Sequence, residues 1–262
     1  MELVDICFNF AHESFRADES DVLRRAIEAG VTRLMCTGSD IEDSECSIAL
    51  AERYPQYLYA TAGVHPHRAV TWSDSSGAQL RWLAREHAKV KAIGETGLDF
   101  NRNYSPQAAQ ERAFEEQLEL AAELQLPVFL HEREAHDNFI AILRHYRDRL
   151  SRAVLHCFTG TEAELRACLD LDLHIGITGW ICDERRGRHL QDIIHLIPPD
   201  RLMIETDAPY LLPRDLLPKP RSRRNEPMYL PHIMKRIAKA LNRPIEIVAE
   251  ETTQTALQFY GL

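Results

Sequence analysis

Four apolar segments of this 262-residue chain each end on a side chain that can ligate a metal ion. The segments are residues 92–95, 127–131, 153–156 and 201–207, and their last residues are Glu95, His131, His156 and Asp207. An apolar run that stops at a polar residue is typical of a buried strand. Because a carboxylate is rarely buried without a partner, these strand ends favour a bound cation. Imidazole and carboxylate together suit Zn, Mn or Fe, and Mg suits a site rich in carboxylates and water.

A divalent cation at these residues predicts hydrolytic rather than redox chemistry. Such an ion lowers the pKa of its bound water and polarises a carbonyl or phosphoryl oxygen. Asp207 could hold a ligand position or accept the proton of the attacking water. The alternative is that each histidine is a core residue that is hydrogen-bonded to the backbone. The placement of all four residues at the ends of separate strands favours the metal site.

Two further histidines, His65 and His67, follow another apolar run in the stretch Gly63-Val64-His65-Pro66-His67. The proline restricts the backbone, so both imidazoles are expected in a rigid turn. We expect His65 to bind a substrate phosphate or to protonate a leaving oxygen. For His67, an ordinary surface-loop histidine is an equally good interpretation.

The elements that position these side chains alternate between strand-like and helix-like patterns along the whole chain. The predicted strands are residues 3–8, 33–37, 57–63, 91–95, 127–131, 153–156, 173–177 and 201–205. The predicted helices are residues 21–29, 41–53, 77–87, 106–124, 135–150, 162–171, 187–196, 229–241 and 245–260. This alternation predicts parallel strands and, at this length, one (β/α)8 TIM barrel over residues 1–262. An open doubly wound sheet is the alternative, but no Gly-x-Gly-x-x-Gly follows an early strand.

In a barrel of this kind, residues at the carboxyl ends of the strands converge on one face, where catalysis takes place. The loops after the predicted seventh and eighth strands carry Arg185 with Arg186 and Arg223 with Arg224. Loops in these positions often bind phosphate, and the planar guanidinium matches phosphate oxygens. We predict that these four arginines bind an anionic substrate. The alternative is a solvated loop in which they pair with neighbouring carboxylates.

Composition restricts the cellular setting and the partners. The net charge of −9 argues against broad, salt-driven coating of nucleic acid but allows a locally basic cleft. Six scattered cysteines without a Cys-x-x-Cys pair predict reduced thiols in the cytoplasm. No apolar stretch approaches the ~20 residues that span a bilayer. The first residues also lack the basic start and apolar core of a signal peptide, so we expect a cytoplasmic protein without a membrane partner.

Several of these stretches together resemble the TatD family of metal-dependent deoxyribonucleases, which belongs to the amidohydrolase-like barrels. The matching stretches are residues 62–67, 92–99, 127–131, 155–160 and 204–211, and residues 178–180, 183–187 and 222–227 are also similar. The matches extend over most of the chain, and their combination is highly specific.

The resemblance implies a Mg²⁺-dependent 3′-5′ exonuclease that acts on single-stranded DNA or RNA, with a role in the repair of oxidative damage. The metal ligands of the family correspond to Glu95, His131, His156 and Asp207. Mn²⁺ and Zn²⁺ are the alternative ions, and we expect a monomer.

The first strand departs from the family pattern. Many members carry Asp-x-His-x-His there, with two metal-binding histidines, whereas this chain has Asp5-Ile6-Cys7-Phe8-Asn9. A thiolate could still ligate a metal ion, but a neutral amide is a poor ligand. We therefore expect that a two-metal site is not fully occupied and that a hard, oxygen-binding ion such as Mg²⁺ is preferred.

Two other functions are compatible with a barrel of this kind. The first is a hydrolase of another class, such as a lactonase, phosphotriesterase or deaminase. Such enzymes often bridge two metals with a carboxylated lysine, whereas the fourth strand here ends on Glu95, and their substrates give no reason for the arginine loops. The second is a non-catalytic nucleic-acid-binding or protein-binding barrel, which the altered first strand suggests. Four metal-capable strand ends have little use in a pure binding protein.

Overall fold

The computed structural model describes residues 2–262, and within them eight strands alternate with α-helices. The strands are β1 (Leu3–Phe8), β2 (Val31–Cys36), β3 (Leu58–Ala62), β4 (Val90–Asp99), β5 (Val128–Arg133), β6 (Ala153–Leu155), β7 (His174–Ile177) and β8 (Leu202–Ile204). The helices are α1 (Glu19–Glu28), α2 (Ile41–Arg53), α3 (Ser76–Glu86), α4 (Gln107–Leu124), α5 (His136–Tyr146), α6 (Glu162–Asp170), α7 (Arg188–Ile193), α8 (Leu230–Leu241) and α9 (Ile245–Tyr260).

The strands of the described chain are arranged in sequence order from β1 to β8 in one sheet. The pairs β3–β4, β4–β5, β5–β6 and β7–β8 are parallel. Parallel neighbours that are consecutive in sequence need a crossover connection, and a helix provides it after each strand. This order confirms the predicted (β/α)8 fold class.

The chain divides into two compact units. The first unit contains residues 2–35, 157–162 and 174–262, with strands β1, β7 and β8 and helices α1, α7, α8 and α9. The second unit contains residues 36–156 and 163–173, with strands β3 to β6 and helices α2 to α5. The single-domain organisation stays a prediction. No helix within residues 2–262 is long and apolar enough to cross a bilayer.

Helix α4 shows how the second unit supports its strand ends. It buries an apolar side that includes Phe114 and Leu118, as its helical spacing predicts. Gln117 lies on the same side and is fully buried. Its amide donates to the carbonyl of Val64 (3.0 Å) and to Oγ1 of Thr96 (2.7 Å), and its Oε1 accepts from the N–H of Val64 (2.7 Å). A satisfied buried amide of this kind joins the residue before His65 to β4.

Strand β4 is longer than predicted, and this corrects the place of Glu95. The prediction ended the strand at Glu95, because glycines usually interrupt a strand. In the structure β4 continues to Asp99, with a register shift against β5 between Ile93 and Thr96. Gly94 and Gly97 have φ values of 133° and 145°, and a Cβ at either would overlap a carbonyl oxygen of β5. The glycines therefore allow close approach of the two strands, and Glu95 lies inside β4.

The remaining predicted boundaries agree with the structure to within a few residues. β1, α2 and α9 have the predicted limits. Residues 135–150 were predicted as one helix, but α5 ends at Tyr146 and a 3₁₀ turn at Arg147–Arg149 follows it. Short 3₁₀ turns are frequent at helix C-termini, and a periodic pattern does not distinguish them from the helix.

Candidate metal centre and active site

One oxygen of the buried Glu95 side chain faces three imidazoles. Its Oε1 lies 2.8 Å from Nδ1 of His131, 2.8 Å from Nε2 of His156 and 3.2 Å from Nε2 of His65. Nδ1 of His131 is also 3.3 Å from Nε2 of His156. The structure thus brings four of the predicted site residues together in the second unit.

Adjacent strands deliver these side chains. Glu95 belongs to β4 and His131 to β5, while His156 follows β6 directly. The backbone N–H of His156 donates to the carbonyl of Leu130 (2.9 Å), which extends the β5–β6 ladder by one residue. His65 follows β3, and its N–H donates to the carbonyl of Ser39 (2.9 Å).

The turn after His65 determines which ring nitrogen faces Glu95. Nδ1 of His65 accepts from the backbone N–H of His67 (3.0 Å). A neutral imidazole that accepts at Nδ1 carries its proton on Nε2, and we assign this tautomer from the hydrogen bond. His65 is therefore a hydrogen-bond donor toward the carboxylate. Pro66 begins the following turn and holds this geometry, as the sequence predicts.

Burial and the neighbouring rings set the charges of the cluster. Burial would raise the pKa of Glu95, but His156, His65 and His131 outweigh it and hold the pKa well below the usual value. Glu95 is therefore ionised. Burial lowers the pKa of His65 to about 4, an effect that Glu95 only partly offsets, so this imidazole is neutral near pH 7.

The donors of this cluster fit a divalent cation. Oε1 of Glu95, Nδ1 of His131 and Nε2 of His156, the atoms of the three residues predicted as ligands, lie 2.8–3.3 Å from one another. Nδ1 is the nitrogen of His131 that faces Glu95, whereas the buried Nε2 lies 3.6 Å from the Asp99 carboxylate. Imidazole nitrogen beside an ionised carboxylate is a normal donor set for Zn, Mn or Fe.

Asp99, at the end of β4, is a site residue that the sequence-based prediction missed. Its Oδ2 lies 2.6 Å from Nε2 of His67 and 3.6 Å from Nε2 of His131. Burial would raise the pKa of Asp99, but these two histidines and the N–H of Arg102 hold it well below the usual value. The spacing Glu95-x-x-x-Asp99 was the available signal, since even spacing places strand residues on one face. The contact also gives His67, which the sequence left open, a defined partner.

An exposed aromatic ring lies beside this cluster. Tyr104 is 65% exposed, and its ring packs edge-to-face on His67 with 4.8 Å between the ring centroids. The adjacent Ser105 accepts from the N–H of Val70 (3.0 Å) and donates to the carbonyl of His67 (3.1 Å). These bonds hold the Tyr104 loop against the turn that carries both histidines.

Asp207 lies in the first unit, where Cys7 and Asn9 contact it. Its Oδ1 accepts from Nδ2 of Asn9 (2.9 Å) and lies 3.5 Å from Sγ of Cys7. Its backbone N–H donates to the carbonyl of Cys7 (3.0 Å). The two residues that stand where many family members have histidines are therefore hydrogen-bonding neighbours of the Asp207 carboxylate.

Glu205 is a buried carboxylate of the first unit to which the prediction gave no role. It is fully buried directly after β8, and its Oε1 accepts from the backbone N–H of Cys157. Sγ of Cys157 lies 3.7 Å from Oγ1 of Thr178. A carboxylate inside the apolar run Met203-Ile204-Glu205 was the signal, because such a group needs a partner.

The four arginines predicted to bind phosphate differ in their surroundings. The guanidinium of Arg224 donates to both oxygens of Asp18 (2.8 and 2.7 Å) and to Glu226 (2.7 Å). Its hydrogen bond to Asp18 lowers the pKa of that carboxyl to about 2. Arg224 thus matches the ion-pair alternative.

The other three arginine side chains, those of Arg185, Arg186 and Arg223, are exposed. The backbone N–H groups of Arg185 and Arg186 bind Oδ1 of Asp183 at 2.9 and 3.3 Å. Phosphate binding by all four arginines stays a prediction.

Comparison with known proteins places the chain in a family. The family model described as "TatD related DNase" matches residues 4–261. This chain belongs to the TatD family. The resemblance inferred from the motifs is therefore confirmed.

Two relatives in the TatD family extend over nearly the same length. A Pantoea sp. (strain At-9b) protein named 3'-5' ssDNA/RNA exonuclease TatD is 53% identical over 260 residues, or 99% of this chain and 100% of the relative. A protein of the same name from Cronobacter sakazakii is 56% identical over 237 residues, or 90% of this chain and 89% of the relative.

Solved structures agree on the fold. A TatD homologue from Escherichia coli K12 superposes with a TM-score of 0.90 at 31% identity, covering 99% of this chain and 98% of that one. An uncharacterised amidohydrolase from Saccharomyces cerevisiae reaches 0.86 at 22% identity, covering 99% and 100%. The second match shows a shared fold.

Proposed function

We propose that this protein is a metal-dependent 3′-5′ exonuclease that hydrolyses terminal phosphodiester bonds of single-stranded DNA or RNA. The observation that carries the proposal is the contact of one Glu95 oxygen with His65, His131 and His156 in a member of the TatD family. The two relatives described above carry the name of this activity over nearly their whole length.

Glu95, His131 and His156 would hold the metal ion. When bound, the ion supplies an activated water near neutral pH and polarises a phosphoryl oxygen. Asp99 would not bind the ion itself. It lies beside Nε2 of His131 and would orient that ring as a ligand. For Asp207 we keep both predicted roles, the ligand position that the family resemblance implies and the base that takes the proton of the attacking water.

Mg²⁺ is the ion we propose, with Mn²⁺ and Zn²⁺ as the alternatives. The absence of histidine at positions 7 and 9 supports a hard ion with few nitrogen ligands. The imidazoles beside Glu95 also suit Mn²⁺ and Zn²⁺. A comparison of the three ions at equal concentration, with the hydrolysis rate as readout, distinguishes them.

His65 would bind the scissile phosphate. Its Nδ1 is occupied by the N–H of His67, so Nε2 carries the proton. This proton faces Glu95 in the structure and would be available to a phosphate oxygen once the carboxylate binds the ion. A donor of this kind is complementary to the charge that develops on phosphate in the transition state. Arg185, Arg186, Arg223 and Arg224 are proposed to bind phosphates of the chain, and exposure favours the first three over Arg224.

Tyr104 would contact a base of the substrate. An exposed aromatic ring is unusual at a site of otherwise polar side chains, and base–aromatic stacking is tolerant of sequence. Such a contact suits an enzyme that accepts both DNA and RNA ends. A cytoplasmic location, a monomeric state and a role in repair of oxidative damage stay predictions.

The other functions are less well supported. A lactonase, phosphotriesterase or deaminase would not be expected to share more than half of its sequence with proteins named as exonucleases. A non-catalytic nucleic-acid-binding barrel gives no reason for an ionised, buried Glu95 among three imidazoles.

The test is a digestion of single-stranded oligonucleotides that are labelled at the 5′ end. With Mg²⁺ we expect a ladder that shortens one nucleotide at a time, and no ladder when a chelator is present. The same oligonucleotide labelled at its 3′ end should release mononucleotide at once. Internal cuts, shortening from the 5′ end or chelator-resistant hydrolysis would contradict the proposal.

A further inference from the structure

A second cluster of ligand-type side chains lies in the first unit and has no part in the proposed reaction. It consists of Cys182, Asp215 and His232. Sγ of Cys182, a carboxylate oxygen of Asp215 and a ring nitrogen of His232 all lie within 4.8 Å of one another. Nε2 of His232 is 2.7 Å from Oδ1 of Asp215. Thiolate, imidazole and carboxylate are the three ligand types that zinc takes from proteins.

The three residues come from separate segments of the unit. Cys182 ends the 3₁₀ turn Gly179–Cys182 after β7, Asp215 lies in the loop after β8, and His232 belongs to α8. We propose that this cluster is a second metal site, of the zinc type, that joins these three segments.

The dimensions of the cluster suit a tetrahedral ion. With ligand bonds of 2.0–2.3 Å, tetrahedral zinc holds its ligand atoms roughly 3.3–3.6 Å apart. The cluster already lies within 4.8 Å, and the Asp215–His232 contact of 2.7 Å must lengthen by less than about 1 Å.

The cluster is closed on one side and open on the other. Cys182 is fully buried, whereas the side chains of His232 and Asp215 are 30% and 24% exposed. An ion can therefore enter past His232 and Asp215 and reach the thiol beneath them. Three protein ligands with one side toward solvent leave a fourth position for water.

Binding of a divalent ion at the cluster would release the proton of the Cys182 thiol. Burial, and then the Asp215 carboxylate, raise the pKa of the Cys182 thiol, while Arg236 on α8 acts in the opposite direction. Without an ion the thiol is protonated and its hydrogen bond goes to Asp215. Binding would replace that proton, so that a thiolate and a carboxylate together neutralise the two positive charges of the ion.

The site would stabilise loops that carry arginines. Asp183 and Arg214, which are adjacent in sequence to Cys182 and Asp215, already form an ion pair at 3.4 Å between the same two segments. A metal ion next to this pair would hold the segment with Arg185 and Arg186 against the loop after β8. The proposed site contains none of the residues assigned to hydrolysis, so it does not depend on the proposed nuclease function.

Cobalt titration of the full-length protein tests the site. Co²⁺ bound to a thiolate gives a near-ultraviolet charge-transfer band, which a site of histidines and carboxylates does not give. We expect one equivalent of this band in the wild type, its displacement by Zn²⁺ and its loss in Cys182→Ser. Cys168→Ser is the matched control, because Cys168 is also buried and burial also raises its thiol pKa.

The same titration separates this site from other thiols. No band in the wild type, a full band in Cys182→Ser, or loss of the band only in Cys7→Ser would each overturn the proposal. If Cys182→Ser does not fold, His232→Asn replaces it, since His232 is partly exposed. We expect its affinity for Co²⁺ to fall at least about tenfold, as for loss of a metal ligand or its supporting partner, and unchanged affinity would also overturn the proposal.

Thermal unfolding gives a readout that is independent of the cobalt absorption band. An ion that binds only the folded state raises the Tm. In the Glu95→Gln background, which removes the proposed catalytic ion, Zn²⁺ should still raise the Tm, and the additional Cys182→Ser substitution should abolish that rise. An equal rise of Tm with Zn²⁺ in Glu95→Gln and in the Glu95→Gln/Cys182→Ser double variant would contradict the site.

Discussion

Nε2 of His67 lies 2.6 Å from Oδ2 of Asp99, and this contact joins the turn after β3 to the end of β4. The same carboxylate lies 3.6 Å from Nε2 of His131. Asp99 therefore lies beside His131 of the cluster around Glu95 and beside the neighbouring His67. In the proposed metal centre, Asp99 would be an outer carboxylate that orients these two rings.

Replacement of Asp99 by asparagine should weaken the metal site without removing a ligand. The amide keeps the shape of the side chain but loses the charge that fixes the His67 and His131 rings. Metal affinity is expected to fall about 10–100-fold, measured by calorimetric titration of Mn²⁺. Asp148→Asn, at an exposed aspartate of the same unit, is the control and should bind as the wild type. Wild-type affinity in Asp99→Asn would rule out this role.

Removal of the Tyr104 ring should weaken substrate binding rather than chemistry. Tyr104→Ala should raise KM for a single-stranded oligonucleotide by about 5–150-fold, the equivalent of 1–3 kcal/mol for one stacked base. Tyr104→Phe should keep the wild-type KM, because stacking needs the ring and not the hydroxyl. Trp82→Ala removes another exposed aromatic of the second unit and serves as the control. Equal KM values for Tyr104→Ala and the wild type would exclude the contact.

Two neighbouring arginines should have different roles. Arg224→Ala breaks contacts with Asp18 and Glu226 and should lower the free energy of unfolding by about 1–3 kcal/mol. Arg223 is exposed, so Arg223→Ala should leave the free energy of unfolding unchanged. It should weaken oligonucleotide binding and reduce the slope of the logarithm of the binding constant against the logarithm of the salt concentration by about 1. Urea unfolding and salt titrations measure both. The reverse pattern would assign the phosphate contact to Arg224.

The Asp18–Arg224 pair also predicts a dependence of stability on acid. Its hydrogen bond to Arg224 lowers the pKa of Asp18 from 3.8 to about 2 in the folded protein. A lowered carboxyl pKa stabilises the fold above pH ~4, and this contribution is lost as the pH falls toward 2. After allowance for solvent screening, we expect a loss of about 1–2 kcal/mol. Asp18→Asn should remove this part of the acid dependence, which urea unfolding at several pH values measures; an unchanged pH profile would contradict it.

The sequence predicted the element order and the convergence of Glu95, His65, His131 and His156, because alternation and strand-end chemistry are local signals. It did not predict the end of β4. Glycines on both sides of a short segment are compatible either with a loop or with two strands that approach each other closely. Only the positions of the β5 carbonyl oxygens against Gly94 and Gly97 distinguish the two structures.

Three further features depended on distances between remote residues. The hydrogen bonds of Cys7 and Asn9 to Asp207 span about two hundred positions. The pairing of Arg224 with Asp18 is similarly remote. Cys182, Asp215 and His232 have no spacing that is typical of a metal motif, so only the fold brings them together.

The central claim, that Glu95 and its histidines hold the catalytic ion, is tested most directly with Glu95→Gln. One preparation is stripped of metal and titrated with Mn²⁺ for the affinity, and the hydrolysis rate is then measured on it with Mn²⁺ present, beside the exposed control Glu115→Gln. We predict that Glu95→Gln loses the tight Mn²⁺ site and keeps an unchanged circular dichroism spectrum. We predict that its hydrolysis rate falls at least about a thousandfold, equal to several kcal/mol of metal catalysis. Wild-type Mn²⁺ binding or wild-type hydrolysis in Glu95→Gln would contradict the claim.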